Sequence, residues 1–508
     1  MDDLFVNLAS GLALALSLKN LAFLVAGISM GMLVGLFPGF GPAAGIAILI
    51  PMTLGLDPAT GIILLAGIYY GAMYGGTITS ILINTPGESA TVASTLDGYP
   101  LAQAGRAGPA LVMQAAASFA GGAVGVVLIG AFAPTLSGFA ASFGPSEYFL
   151  IVFLGLLLLA TLMGDSLLKG IISALFGFAI STVGVDVISG AQRFTFGSPE
   201  LIDGIYFVPV AIGLFGIGEL LNCIYNGEHT KPAKRISVSM LSKAFWPRAA
   251  DFRVSRYTFA RGSLIGFIAG VLPGSGATIG SILAYSVEKR VARNPEQFGK
   301  GDMRGLVAPE AANNAASAGA MVPLISLGIP GSGATAVLLG ALLMWGLQPG
   351  PMLIVENPDF VWGLIGSMYL GNLMLVVMSV AAIPLFIRFL DVPYRLVVPV
   401  IVTLCVVGTF ALHSSMVETW LLLATGLIGF GMRRFGYSPA ATVLAVVLGG
   451  MAENAFLQSL LIGDGSLRIF ITRPISLALT VVAASIFVAA AVVRLRALRV
   501  GAKTHRPS

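Results

Sequence analysis

The sequence predicts an all-α polytopic membrane protein built from two inverted-topology repeats with broken helices and re-entrant hairpins. The first observation is composition: 56% of the 508 residues are hydrophobic and only 10% are charged, against roughly 25% charged in soluble domains. The second is a pair of proline–glycine motifs that recurs in the same order in both halves. Matched breaks of this kind are typical of secondary transporters. We therefore expect about 10–12 membrane segments of ~20 residues each, and an elevator-like or rocking movement.

The first motif of each half interrupts an apolar stretch. It reads Gly-Leu-Phe-Pro-Gly-Phe-Gly from Gly35 and Gly-Val-Leu-Pro-Gly-Ser-Gly from Gly270. Proline removes a backbone donor and clashes with the preceding turn, and glycine costs backbone entropy, so both residues disfavour a continuous helix. The sequence therefore predicts breaks at 38–41 and 273–276.

The second motif reads Pro-Gly-Glu-Ser-Ala-Thr from Pro86 and Pro-Gly-Ser-Gly-Ala-Thr from Pro330. It predicts breaks at 86–88 and 330–333. Since both motifs keep their order, they indicate an internal duplication. A broken helix at membrane depth is tolerated only where it is buried in protein or lines a cavity, so we expect the Pro86 and Pro330 breaks to meet near the midplane.

The predicted organisation is repeat 1 at 1–223, a basic linker at 224–258, repeat 2 at 259–462, and an extra span with a basic tail at 463–508. Residues 4–18 fit either an interfacial helix or a tilted span. The first repeat contains further predicted apolar segments and one polar loop: helices at 21–37, 41–54 and 60–84, the loop at 93–108, and spans at 109–133, 147–163, 166–189 and 204–223.

The second repeat begins with two arms of 11 residues, 262–272 and 277–287. Each would reach about 16 Å, roughly half the hydrocarbon core. Lysine and arginine flank both ends of the pair of arms, which places both ends in the cytoplasm, so a re-entrant hairpin is favoured over a kinked span. A helix is then expected to open at Pro309 and to run to the Pro330 break. Five more spans are predicted at 361–386, 396–412, 419–432, 439–462 and 474–493.

Lysine and arginine set the predicted orientation. They concentrate in 224–258, 289–304 and 494–508, which the positive-inside rule places in the cytoplasm, with 348–360 outside. Membrane crossings can be counted back from the linker and back from the tail. The two counts agree only if the matched motifs enter the membrane from opposite faces. The duplication is therefore predicted to be inverted.

The breaks are the candidate substrate site. A broken helix exposes carbonyl groups on one side and N–H groups on the other, which attract cations and anions respectively. Gly87 and Gly331 would let the backbone approach a ligand. The alternative is that these small residues only allow close helix packing. The predicted substrate-binding residues share a place in the four motifs: Gly39, Gly41, Asn84, Thr85, Pro86, Gly87, Ser89, Thr91, Gly274, Ser275, Gly276, Thr278, Gly331, Ser332, Gly333 and Thr335.

Four other residues are candidates for coupling to a cation. Glu88 lies beside a break, where a carboxylate is costly and therefore suggests function; the alternative is a position at an aqueous mouth. Glu310, Asn313 and Asn314 follow Pro309. Glu310 could also be an acid at a helix N-terminus, stabilised by the helix dipole, while the two asparagines could supply oxygens or amides to the site.

Enzyme classes find little support. The three histidines are expected in loops or the tail, and the chain contains neither an HExxH motif nor a Walker loop. A passive organic-anion channel is the main alternative to a coupled importer. A membrane scaffold or intramembrane enzyme is the third hypothesis, for which the usual catalytic groups are missing.

Longer motifs resemble the large membrane subunit of the tripartite tricarboxylate transporters. They occur in family order: 35–51, Asp57-Pro58-Ala59, 69–76, the Pro86 motif, 96–102, 272–276, 288–290, 308–315, 327–331 and 348–351. Among them are Leu96-Asp97-Gly98-Tyr99-Pro100-Leu101-Ala102 and Glu288-Lys289-Arg290.

The resemblance implies an importer of di- or tricarboxylates in the bacterial inner membrane, driven by a sodium or proton gradient. It also implies two partners, a small four-span membrane subunit and a periplasmic solute-binding protein. No cofactor, no structural metal and no nucleic acid is expected; the only metal ion would be a transported sodium.

Overall fold

The computed structural model describes residues 2–37, 39–162, 167–186, 189–226, 242–274, 276–389, 392 and 394–488. Seven helices in this part of the chain are long and apolar enough to cross a membrane. The strands described are two pairs of residues that form one short antiparallel ribbon. The all-α polytopic class is therefore confirmed. The inverted repeats and the transport movement stay predictions.

The chain folds into two compact units. Unit 1 comprises Met1–Ala141 and Tyr206–Arg434, and unit 2 comprises Ser142–Ile205 and Phe435–Ser508. These boundaries do not follow the predicted repeats. A repeat is a relation between two sequences rather than a compact body, so the division into repeats stays a prediction. All four predicted breaks lie in unit 1.

Unit 1 contains mostly helices, several of them interrupted by tighter or wider turns. They are Asp2–Ala15, Leu18–Gly35, Gly41–Leu49 with a 3₁₀ turn Ile50–Thr53, Pro58–Ile83, the 3₁₀ turn Ser89–Thr91, Val92–Leu101, a π-helical turn Ala102–Arg106, Ala107–Ala140, Phe207–Asn226 with π-helical Ile212–Ile217, the 3₁₀ turn Lys243–Phe245, Ala249–Val271, Gly276–Val291, the 3₁₀ turn Pro295–Gln297, Met303–Gly319, Met321–Leu327, Gly333–Met344, Pro351–Glu356, Pro358–Ala381, Ile383–Phe389, Tyr394–His413 and Met416–Arg434.

Unit 2 has helices Pro145–Leu162, Leu167–Ser181, Pro439–Ile462, Ile469–Thr472 and Pro474–Val488, with a 3₁₀ turn at Pro199–Leu201. Strands Gly184–Val185 and Gln192–Arg193 pair after the second helix. The predicted span 166–189 is therefore too long. Its helix ends at Ser181, and Gly184 has a φ of 123°, a conformation that favours glycine and suits the turn into the ribbon.

Helices end at the four predicted places, which we name break 1A (36–40), break 1B (84–88), break 2A (272–275) and break 2B (328–332). Pro38 and Ser275 lie outside the described residues, as do 227–241 of the linker and the basic tail 494–508. Asn84 and Gly328, at equivalent positions of the repeat, have φ of 56° and 71°. A left-handed residue directly after the last turn ends a helix, so both B breaks begin in the same way.

Glycines allow two helix pairs to touch backbone to backbone. A Cβ on Gly31 would stand 2.3 Å from the carbonyl oxygen of Ile68. At the equivalent place in the second half, a Cβ on Gly266 would stand 2.1 Å from that of Ala312. The helix before each A break therefore packs closely on the helix that leads to the B break of the same half.

The predicted polar loop at 93–108 is wrong. Val92–Leu101 is a helix, and after the turn Ala102–Arg106 the chain enters Ala107–Ala140 directly. Asp97, which suggested a loop, is fully buried in this helix. Its carboxylate can lie inside the fold because it accepts four hydrogen bonds there.

The predicted short arm 262–272 is also wrong. It is the end of Ala249–Val271, a helix of 23 residues that is about 34 Å long. Arg261 lies inside this helix, and its guanidinium binds Glu288 on the second arm, at 2.7 Å. The second arm, Gly276–Val291, has 16 residues. The short length expected of the two arms therefore no longer favours a re-entrant hairpin. The basic residues that flank the two arms still do, and the hairpin stays a prediction.

The helix that carries Glu310 begins earlier than expected. Asp302 caps its start, and Pro309 lies inside Met303–Gly319. Glu310 is therefore not an acid in the first turn of a helix, and its position cannot be explained by the helix dipole.

Candidate functional site

The two breaks of each half bind each other through the backbone. Gly39 donates its N–H to the carbonyl of Gly87 at 3.1 Å, and Gly274 donates to the carbonyl of Gly331 at 3.0 Å. The donors are equivalent positions of the A motif and the acceptors are equivalent positions of the B motif. Each A break is thus fixed on the B break of its own half.

Gly87 and Gly331 are needed for this packing. A Cβ on Gly87 would stand 2.3 Å from the Cα of Gly76, and one on Gly331 would stand 2.8 Å from the Cα of Ala320. The open side of each glycine therefore faces the backbone of a neighbouring helix. Protein atoms therefore already occupy the side on which a Cβ would stand, and the approach of a ligand to these two glycines stays a prediction. Their role in binding through N–H or carbonyl groups stays a prediction.

Glu88 and Ser332 occupy equivalent positions at the start of the next helical turn. Their backbone angles are nearly the same, with φ of −149° and −155° and ψ of 169° for both. Ser332 donates its N–H to the Thr335 hydroxyl at 2.8 Å and accepts the Thr335 N–H at 3.2 Å. Thr91 accepts the N–H of Glu88 at 3.4 Å. Thr91 and Thr335 are buried and serve as local caps.

The first half then contacts the second through two equivalent pairs. Asn313 donates its side-chain N–H to Glu88 Oε1 at 3.4 Å. Tyr69 Oη and Ser332 Oγ are also 3.4 Å apart. The repeat relates Tyr69 to Asn313 as it relates Glu88 to Ser332. The same crossed contact is therefore made twice, once with a carboxylate and an amide, and once with two hydroxyls.

Two further approaches are made at break 1B, one from the helix after break 2A and one from the helix after break 1A. Ser89 Oγ lies 2.8 Å from Thr278 Oγ1, which follows break 2A. A Cβ on Gly41, after break 1A, would lie 3.6 Å from the Cβ of Glu88. The structure thus brings Gly41, Glu88, Ser89 and Thr278 to one region.

Glu310 is a fully buried carboxylate surrounded by hydroxyl groups. Thr77 Oγ1 lies 3.0 Å from both of its oxygens, Ser118 donates to Oε2 at 3.4 Å, and Ser94 donates to Oε1. These donors come from three different helices of the first half. A carboxylate with this many donors can be held in the protein interior.

Asn313 and Asn314 differ in the hydrogen bonds that their side chains form. Asn313 is fully buried, and its Oδ1 accepts no hydrogen bond from the residues the structure describes. Asn314 donates to the carbonyl of Glu310 on its own helix, at 3.2 Å. An unpaired buried oxygen beside Glu88 could bind a cation or a donor group, whereas the Asn314 amide already serves its helix.

Other predicted residues lie at the edge of this region. Asn84 and Gly39 are exposed, and Thr85 donates to the carbonyl of Ile83, at 3.3 Å. Gly276 packs inside its own hairpin, since a Cβ there would stand 2.5 Å from the carbonyl oxygen of Ala269. Pro86 and Gly274 lie in the breaks and Gly333 begins the helix after break 2B. Their role in binding a ligand stays a prediction.

Four residues of this region are not among those predicted from the sequence: Tyr69, Thr77, Ser94 and Ser118. Tyr69 could have been found, because the offset that pairs Glu88 with Ser332 also pairs Tyr69 with Asn313. The three hydroxyls carry no such signal. Their importance depends on Glu310, which is more than 190 residues away in each case.

A polytopic helical protein whose broken helices bring a carboxylate, amides and hydroxyls together has the build of a membrane transporter. The comparison with known families agrees with this class. The chain belongs to the family described as the tripartite tricarboxylate transporter TctA family, whose model matches residues 21–444. This is a transporter family, so the protein is not an enzyme.

Two relatives come from Agrobacterium vitis. The chain is 39% identical, over 500 residues, to an uncharacterized 52.8 kDa protein in the TAR-I ttuC′ 3′ region; the match covers 98% of each chain. It is 37% identical over 214 residues to an uncharacterized protein in the TAR-II ttuC′ 3′ region, covering 42% of this chain and 88% of that one. No solved structure matches.

Proposed function

We propose that the chain is the large membrane subunit of a secondary importer of di- or tricarboxylates. A sodium or proton gradient drives it by alternating access in the bacterial inner membrane. It works with a small four-span membrane subunit and a periplasmic solute-binding protein. The observation that carries this proposal is the crossed contact between halves, Glu88 with Asn313 and Tyr69 with Ser332.

The Glu88 pair suits a cation. It combines a carboxylate with the unpaired Oδ1 of Asn313, and hard cations such as sodium bind oxygen ligands of this kind. Glu310 lies one turn from Asn313 on the same helix and is a second acid that could carry a proton or bind the cation. A transported ion must also leave, so oxygen ligands of moderate number suit this role better than a closed cage.

The Ser332 pair suits an anion. Both side chains are neutral hydroxyls, and the helix Gly333–Met344 begins directly after Ser332. The N-terminal N–H groups of a helix attract negative charge. A carboxylate of the substrate could therefore bind at break 2B while the cation binds at break 1B. The two halves keep one backbone geometry but differ in charge.

Uptake by the complete system tests the proposal. The chain, its small subunit and its binding protein would be reconstituted in vesicles and given labelled succinate, malate or citrate under imposed sodium or proton gradients. We expect accumulation of one of these carboxylates above its external concentration only with one of the gradients. Equilibration without accumulation under every gradient would favour the passive channel and contradict the proposal.

A further inference from the structure

Asp97 is a buried carboxylate that the proposed binding reactions do not use. It lies in the helix that follows break 1B and is fully buried. Its Oδ1 accepts the N–H groups of Gly299, Gly301 and Asp302 at 2.9, 2.8 and 2.8 Å. Tyr285 donates its hydroxyl to Oδ2 at 3.0 Å. All four donors belong to the second half of the chain, so Asp97 joins the two halves.

The loop before Met303–Gly319 is shaped to hold this carboxylate. Gly299 and Gly301 have φ of 86° and 99°, which favour glycine. These angles let the N–H groups of Gly299, Gly301 and Asp302 converge on one oxygen, as in backbone anion-binding nests. A Cβ on Gly305 would stand 2.0 Å from Asp97 Oδ2, so the helix can approach the carboxylate only because it has a glycine there.

Apolar side chains surround the contact. The rings of Tyr285 and Phe298 meet edge to face with centroids 5.6 Å apart. Ala93, from the same helix as Asp97, packs against both. Water is excluded on this side, and hydrogen bonds in such surroundings are stronger than in water.

The same helix touches the Glu310 helix at a second point. Ser94 lies one turn before Asp97 and donates its hydroxyl to the Glu310 carboxylate. Residues three apart share one helix face. We propose that Asp97 is a positioning residue of the transport site: by fixing the loop 299–302, it keeps the Ser94 hydroxyl on Glu310. The role of Glu310 in transport rests on the proposed function. The attachment of the Asp97 helix to the loop 299–302 does not.

Hydrogen–deuterium exchange of the purified full chain tests the attachment without transport. Asp97→Ala should raise amide exchange at 299–302 by at least about tenfold, since one hydrogen bond to a charged group has that weight. Tyr285→Phe leaves the three backbone bonds in place and should have a smaller effect. Unchanged exchange at 299–302 in Asp97→Ala would overturn the proposal. If the alanine variant is not recovered, Asp97→Asn, which keeps one acceptor oxygen, should still raise exchange there, and no rise would count equally against it.

A double-mutant cycle tests the positioning. The apparent affinity for the driving cation would be measured by uptake in Ser94→Ala, Asp97→Asn and the double variant. If Asp97 acts through Ser94, the double variant should be no weaker than the worse single variant. If the fold-changes in cation affinity of the two single variants multiply in the double variant, the positioning role is overturned. A change in substrate KM with unchanged cation affinity would overturn it as well. A wild-type system without any cation dependence would instead contradict the proposed function, while the exchange result would still decide on the attachment.

Discussion

Asn313 donates its side-chain amide to the Glu88 carboxylate at 3.4 Å, although 225 positions of the sequence separate them. The contact joins the last residue of break 1B to the helix that leads to break 2B. Its counterpart, between Tyr69 and Ser332, has the same length without any charge. The difference between these two contacts is the basis of the first two predictions.

Glu88→Gln should weaken the response to the driving cation. The substitution keeps the shape of the side chain but removes its charge, so we expect the apparent cation affinity to fall by roughly 10- to 100-fold, the weight of an interaction with a charged group. The measurement is uptake as a function of sodium or proton concentration. Ser332→Ala is the matched control at the equivalent position and should change substrate affinity instead. An unaltered cation response in Glu88→Gln would place this acid at the mouth of the site.

Ser332→Ala should lower substrate affinity by about 0.5–1.5 kcal/mol, the net worth of a neutral hydrogen bond. It also removes a helix cap, which costs about 1 kcal/mol of stability. Ser332→Asp separates the two effects, because aspartate caps a helix well but repels an anionic substrate. We expect the aspartate variant to unfold no more easily than wild type and to bind substrate more weakly than the alanine variant. Thermal unfolding and the KM of uptake check both; equal KM values would contradict an anion site there.

Glu310→Gln should leave the fold intact and abolish concentrative uptake. The amide retains an oxygen for the hydroxyls of Thr77, Ser94 and Ser118 but cannot carry a negative charge. Glu310→Ala removes every acceptor and should also destabilise the protein, by about 1–3 kcal/mol for the unpaired groups. Size-exclusion profiles report folding, and gradient-driven uptake reports function. Full accumulation by the glutamine variant would exclude Glu310 from coupling.

Gly331→Val should damage the fold rather than the substrate site alone. Its side chain would meet the Cα of Ala320 and the carbonyl oxygen of Gly270, and overpacking of this kind costs about 1–3 kcal/mol. Gly130→Ala is the control, because a Cβ there meets nothing within 4 Å. Thermal unfolding in detergent should therefore show a lower midpoint for Gly331→Val only. A normal midpoint with lost uptake would contradict this and would support the approach of a ligand to this glycine.

Cysteine labelling tests the predicted orientation. Ser242 and Glu356 are both exposed, in stretches predicted to be cytoplasmic and periplasmic. An impermeant reagent applied to whole cells should label Glu356→Cys and not Ser242→Cys, because lysine and arginine concentrate near the latter. Native Cys223 and Cys405 are buried and serve as the background control. Labelling of both variants from outside would contradict the inverted arrangement.

The sequence predicted what depends on local chemistry. Proline and glycine located the four breaks, and hydropathy located most long helices. It misplaced Asp97 in a loop and Glu310 at a helix start, because each was judged from its neighbours in sequence. Both acids are stabilised by partners from distant helices, and such contacts leave no mark in a single sequence. Tyr69 is the exception, since the duplication itself pointed to it.

The glycine contacts restrict how the helices can slide. In each half, the carbonyl groups of one helix sit where side chains would be on the other, at Gly31 against Ile68 and at Gly266 against Ala312. A shift by one residue would place a methyl group or larger where only hydrogen fits. The next glycine on each helix is four residues away, at Gly35 and Gly270, a rise of about 6 Å. Each helix pair therefore moves as one rigid unit. A movement that carries substrate through the membrane would have to rotate or translate both helices of a pair together.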